Sequence, residues 1–151
     1  MDEIDRKILR LLQDKPELST TDLAEAVGLS HTPCWRRLKR LREDGVIVGN
    51  AVLLDPRQLG LSLTVIAEIR LKQHDEDTLE AFERAVRGYP EIVECFTITG
   101  DYDFYMRMVM GSIEEYERFL KKVLLHLPGV TAVNTRFALR EVKLTTKLPI
   151  R

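Results

Sequence analysis

The sequence predicts an α+β fold in two parts, and three observations carry the prediction. Through residue 45 the apolar residues recur at helical spacing between clear stop signals; beyond Gly60 the texture turns to strict alternation; and there the order strand, helix, strand occurs twice over. The first part has the layout of a winged helix-turn-helix and the second that of a ferredoxin-like βαββαβ domain. The expected division is 1–50 for the helical domain, 51–61 for a linker strand and 62–151 for the ferredoxin-like domain. A chain of 151 residues has room for two small domains, each with a core of its own.

In the first part, Ile4, Ile8, Leu11 and Leu12 mark a helix whose start carries Asp2 and Asp5, where negative charge is favoured, and which Lys15-Pro16 ends. Ser19 with Asp22 three residues on resembles a capping box. It opens a short helix with Leu23, Ala24 and Val27 inward and Gly28 as its stop. Ser30 is then placed to cap a third helix, with Pro33 tolerated in its first turn and Gly45 closing it. Val46 to Leu54 has two apolar runs around Gly49-Asn50 and reads as a wing or connecting ribbon.

The second part begins after Asp55-Pro56-Arg57 and Leu59-Gly60. Residues 63–71 alternate as a strand with Val65, Ala67, Ile69 and Leu71 on the better-buried face. Leu79, Phe82 and Val86 form a helix stripe, 92–99 a second strand and 102–110 a third. Ile113 to Leu127 carries the second helix stripe, and the last strand lies within 130–145. That order predicts a four-stranded antiparallel sheet with both helices on one face. Apolar residues on both parities of the third strand favour pairing of the other face with a second copy.

Charge narrows the function classes. The formal net charge is −1, so nucleic-acid binding must come from a local patch. Such a patch exists, because residues 31–42 contain five Lys or Arg and no acid, on the side of the third helix away from Cys34, Leu38 and Leu41. A solvated helix face is the bland reading of such a run. Behind a helix-turn-helix it reads as a recognition helix for double-stranded DNA, with Ser30, His31, Thr32 and Arg36 toward base edges and Arg37, Lys39 and Arg40 toward phosphates. Cys34 reads as a buried, inert core thiol and Trp35 as a core or hinge packer and not a base-stacking platform.

Two cysteines, Cys34 and Cys95, are too few for a disulfide framework, and His31, His74 and His126 are scattered. No metal site, cofactor or catalytic residue is therefore expected. The N-terminus is acidic where a secretory signal would be basic and then apolar, and no run is long enough for a membrane span, so a cytoplasmic protein is expected. Asp101 and Asp103 flank Tyr102 in the turn between the middle strands. That pair fits a polar hairpin loop, an acid/base pair, or a loop in which Gly100 and Asp101 receive a small zwitterion such as an amino acid.

The motifs together resemble one family. Ile4-Asp5-Arg6-Lys7-Ile8-Leu9, the run Leu23 to Ser30, the run Thr32 to Leu41 and Asp44-Gly45-Val46-Ile47 are similar to the helix-turn-helix of the leucine-responsive regulatory protein and asparagine-operon regulator (Lrp/AsnC) family. Gly100-Asp101-Tyr102-Asp103, Leu127-Pro128-Gly129-Val130 and Glu141-Val142-Lys143 resemble its C-terminal amino-acid-sensing domain. The resemblance implies a transcription regulator that dimerises through the C-terminal sheet, assembles further into tetramers or octamers, and changes DNA affinity or assembly when a small amino acid binds between subunits. It also implies an effector site of Thr99, Gly100, Asp101, Tyr102, Asp103 and Thr135. Where the family commonly has Thr-x-Thr in the last strand, this chain has Val133 and Thr135. The run Lys143 to Ile150, with Thr32 to Trp35, is more like the branch that includes cysteine-responsive regulators than like the leucine-responsive type. Two other functions also remain open, an architectural DNA-wrapping protein and an enzyme using Asp101, Asp103 or Cys95.

Overall fold

A computed structural model describes residues 1–151, and the chain divides into two compact units, Met1–Leu53 with Lys143–Arg151, and Leu54–Val142. The first unit contains α1 (Glu3–Asp14), α2 (Thr20–Val27) and α3 (His31–Glu43). Its core is Ile8, Leu9, Leu23, Ala24, Cys34, Leu38 and Leu41. Asp2 caps α1 by accepting from the Asp5 N–H, and Asp5 returns the bond to the Asp2 N–H, a full capping box. Between α2 and α3 the chain turns through Gly28 at φ 73°, a left-handed conformation open to glycine without Cβ strain, so that α3 starts three residues later.

Two expectations about this unit are corrected. Residues 46–55 form neither a wing nor a linker strand. Ile47 donates its N–H to the Leu41 carbonyl and packs on the core, but Val48, Val52, Leu53 and Leu54 lie exposed without a ladder partner. A lone ribbon has too few hydrogen bonds and too little burial to hold its strands. Where the remainder of the linker was expected to be extended, Pro56–Leu59 forms a 3-10 turn capped by the Asp55 carboxylate. The other correction concerns residues 143–151, expected with the ferredoxin-like domain, which pack instead with the helical unit.

The second unit contains β1 (Leu63–Leu71), α4 (Glu76–Val86), β2 (Ile92–Thr97), β3 (Phe104–Met110), α5 (Ile113–Lys122) and β4 (Val130–Phe137). The sheet order is β2-β3-β1-β4, antiparallel throughout, which is the βαββαβ arrangement the alternating pattern predicts. Val65, Ala67, Ile69 and Leu71 of β1 and Phe104, Met106, Met108 and Met110 of β3 share a buried core with Phe82, Val86, Tyr116 and Phe119 of the helices. The expected long second helix stops at Lys122, and a 3-10 turn at Leu124–His126 keeps Leu124 and Leu127 inside.

The opposite sheet face mixes Ile66, Phe96, Tyr105 and Val109 with cross-strand charge pairs. Glu94 meets Arg107 at 2.9 Å, and Glu68 meets Arg136 at 3.0 Å while accepting from Asn134 at 2.8 Å. Neutralised in place, these charges leave the face far less costly to cover than free ones. The Arg107 Nε is buried without an acceptor.

Candidate functional site

The basic helix α3 is built differently from the other α-helices of the chain. Asp2, Ser19, Asp75 and Ser112 each cap their helix by accepting from the N–H three residues on. Ser30 occupies the same position before α3 yet makes no such bond. The residue three positions on is Pro33, which has no N–H to give. The expected Ser30 cap is therefore corrected, and the α3 N-terminus keeps the Ser30 hydroxyl and the first-turn N–H groups of His31 and Thr32 uncommitted, at the positive end of the helix dipole. No acid stands in that first turn. An uncapped helix start of this kind is suited to an anion such as a phosphate.

Ser30, His31, Thr32, Arg36, Lys39 and Arg40 are all exposed. Arg37 is not equivalent to them. Its Nη1 lies 2.6 Å from Asp2 and 2.8 Å from Asp5, and its side chain is only 24% exposed. Arg40 shares the arrangement, donating from Nη2 to the other Asp5 oxygen at 2.7 Å while staying 52% exposed. Asp5 is the only charged residue buried in the chain. Burial pushes its carboxyl upward, but the Asp2 N–H, Arg37 and Arg40 outweigh burial and hold it below the usual carboxylate range. This buried carboxylate fixes α3 to the N-terminus of α1. Arg37, expected at a phosphate, has its Nη1 committed to Asp2 and Asp5, which gives it a structural tie to α1.

Trp35, expected as a core or hinge packer, is outside the core at 46% exposed, with the Lys39 ammonium 5.5 Å from its ring centroid. It belongs to the surface beside the basic face. The signal was its place on the helix wheel between the apolar stripe and Lys39. Cys34 is fully buried, and burial raises its thiol, as expected of an inert core cysteine.

Capping geometry yields a stability prediction. Ser19→Ala is expected to cost about 1 kcal/mol, the usual loss for a capping hydroxyl, whereas Ser30→Ala leaves the unit's stability within about 0.5 kcal/mol. Urea titrations followed through Trp35, the chain's single tryptophan, check both.

In the second unit the loop after β2 is held by four hydrogen bonds. Asp103 accepts the Leu71 N–H at 2.7 Å with one carboxylate oxygen and meets His74 Nε2 at 2.7 Å with the other. Its own N–H donates to the Ile69 carbonyl. Arg70 donates to the Asp101 carbonyl at 2.8 Å and lies 4.9 Å from the Tyr102 ring centroid. Gly100 stands at φ 113°, where side chains are disfavoured. Desolvation raises the Asp103 carboxyl, yet the Leu71 N–H, His74 and Arg70 together bring it below its ordinary value. Thr99, Gly100 and Asp101 are exposed and Tyr102 half-buried.

The expected effector set is thus brought together only in part. Asp103 is committed to pinning the loop. Thr135 pairs across the sheet with Ala67, four residues along β1 from the Leu71 that Asp103 holds, and its hydroxyl bonds the Tyr116 hydroxyl on the helix-covered face. Within one chain it does not join the loop.

A general acid needs a raised carboxyl, and Asp103 is lowered; burial pushes the Cys95 thiol up to about 11, far from a nucleophile.

Comparison with known proteins decides the family. Residues 1–48 match a winged helix-turn-helix DNA-binding model, and residues 64–148 match the Lrp/AsnC ligand binding domain. The chain belongs to the Lrp/AsnC family. It is 41% identical over 150 residues to the DNA-binding transcriptional activator DecR of Escherichia coli K12, covering 99% of each chain. It is also 41% identical to the leucine-responsive regulatory protein of Haemophilus influenzae, covering 100% of this chain and 91% of that one. A transcriptional regulator of Neisseria meningitidis solved in complex with L-Met superimposes with a TM-score of 0.94 at 35% identity, over 99% of this chain and 96% of that one. This Lrp/AsnC member is therefore a DNA-binding transcription regulator with a ligand-binding domain, not an enzyme. No helix in it is long and apolar enough to cross a membrane.

Proposed function

We propose that this regulator binds DNA sequence-specifically through the N-terminal half of α3 and responds to a small amino acid bound at the Gly100–Asp101 loop, where two copies meet. The observation that carries the DNA half is the uncapped start of α3, with Ser30, His31, Thr32 and Arg36 exposed on one recognition surface. Lys39 and the free part of the Arg40 guanidinium grip phosphates, and Arg37 holds the helix in place.

The ligand half rests on the exposed Gly100 backbone and Asp101 carboxylate, which offer an acceptor to an ammonium group and N–H donors to a carboxylate. The relative bound to L-Met supports an amino acid as the chemical class. A second copy covers the open sheet face, bringing an acceptor to the Arg107 Nε. Ligand then acts only through unequal affinity for alternative assemblies of the dimer.

Thermal unfolding with each of the twenty amino acids tests the ligand. One of them at about 100 times its Kd is expected to stabilise the protein by about 2.7 kcal/mol, and Asp101→Ala to abolish that shift. The reading is contradicted if no amino acid shifts unfolding, or if Asp101→Ala leaves the shift intact.

A further inference from the structure

The segment 147–151 lies along one stripe of α1. Gln13 uses its whole amide on a single residue, donating Nε2 to the Leu148 carbonyl at 3.0 Å and accepting the Leu148 N–H on Oε1 at 2.5 Å. A primary amide is the side chain able to pair with a peptide group in this two-way manner. Arg6 donates Nε to the Arg151 carbonyl at 2.7 Å, and Ile150 packs against the unit's core. Lys147 Nζ sits 2.6 Å from Asp14.

Asp14 explains why a cation is wanted there. It is the last residue of α1, whose final turn has no basic side chain, so a carboxylate stands at the negative end of the helix dipole. Lys147 supplies the missing charge from the other end of the sequence. Arg6, Arg10 and Gln13, four and three residues apart, share a helix face and each donates to a carbonyl of the segment, with Asp14 next to them at the helix end, while Asp2 and Asp5 at the helix start engage Arg37 and Arg40 of α3. One helix thus receives the C-terminal segment on its side and the recognition helix at its tip.

We propose that residues 147–151 are positioning residues for DNA binding: a strap that fixes α1, and through Asp2 and Asp5 the recognition helix, without touching DNA. The inference rests on α3 being the DNA-contacting helix. The chain passes between its two units twice, at 53/54 and again at 142/143, and the strap makes the second passage an attachment to α1.

The test uses the full-length protein with Gln13→Ala, Asp14→Lys, Lys147→Asp and the Asp14→Lys/Lys147→Asp pair. Amide hydrogen exchange is read across α1 and α3, and affinity by fluorescence anisotropy on a duplex enriched from a random pool. Ala is a stronger helix former than Gln, so intrinsic propensity alone has Gln13→Ala slowing exchange in α1. The strap predicts the opposite, exchange faster by roughly tenfold and affinity lower by roughly three- to tenfold. Lys147→Asp is expected to act likewise and the exchanged pair to recover; Asp14→Lys alone puts a cation at the negative end of the dipole, so its loss of the strap is read in affinity and not in α1 exchange. Unchanged α1 exchange in Gln13→Ala overturns the strap, and faster exchange with unchanged affinity overturns its positioning role. If α3 is not the DNA-contacting helix, Arg36→Ala separates that failure, since it then keeps full affinity while α1 still loosens in Gln13→Ala and Lys147→Asp.

Discussion

Asp5→Ala is expected to destabilise the DNA-binding unit by about 2–4 kcal/mol, because it removes charge-assisted bonds to Arg37 and Arg40 together with half of the α1 capping box. For a unit of this size such a loss is a large share of its total stability. The partners left behind, Arg37 and Arg40, retain access to water, which keeps the loss below that of stranding a buried charge. Arg37→Met acts from the other side. It leaves the buried Asp5 carboxylate with Arg40 as its one cationic partner, and a comparable loss is expected. Trp35 fluorescence during urea unfolding reports this unit selectively. Acid gives the same interaction a pH signature. Asp2, held down to about 2 chiefly by the Asp5 N–H and Arg37, and Asp5, also lowered, both ionise more readily folded than unfolded. Their stabilisation is present above the ordinary value near 3.8 and is lost as pH falls through the folded values, down to about 2. Asp5→Ala is expected to flatten the acid limb of the unfolding midpoint between pH 4 and pH 2.

Arg36→Ala is expected to lower affinity for the preferred duplex by about 10- to 100-fold while leaving the unfolding midpoint unchanged, since Arg36 is exposed and forms no ion pair within its unit. Arg37→Met is expected to do the reverse at low temperature, costing stability first and affinity only as α3 loosens. Arg40 combines both effects, because one nitrogen is on Asp5 and the rest of the group faces solvent. Affinity and stability measured on the same three variants separate recognition from support. A drop in melting for Arg36→Ala as large as that for Arg37→Met would contradict the division of roles.

Local chemistry was the legible part of this molecule. Asp2, Ser19 and Gly28 announce the first two helices by their residue type and spacing, and the alternation of Val65, Ala67, Ile69 and Leu71 marks the buried strand face directly. What the sequence hid depends on residues distant along the chain. Nothing near Arg37 shows that its partners are Asp2 and Asp5, which read equally well as dipole-compensating acids. Lys147 gives no sign that it answers Asp14, and Leu148 none that its peptide group meets Gln13. The apolar 46–54 run has strand-forming residues, but strand propensity without a neighbouring strand yields no ladder. Ser30 was misread for a local reason that spacing alone contained, since a proline three positions on removes the very donor a cap requires. Thr135 followed the family pattern in position, while its hydroxyl went to Tyr116.

The uncapped start of α3 is the centre of the account, and the backbone amide resonances of His31 and Thr32 test it most directly. Adding the enriched duplex to the isotope-labelled full-length protein is expected to shift these two amides and slow their exchange with solvent, with Arg36 and Lys39 perturbed less and α4 and α5 unaffected. Perturbation confined to residues outside α3, with His31 and Thr32 unmoved at saturating DNA, would contradict it.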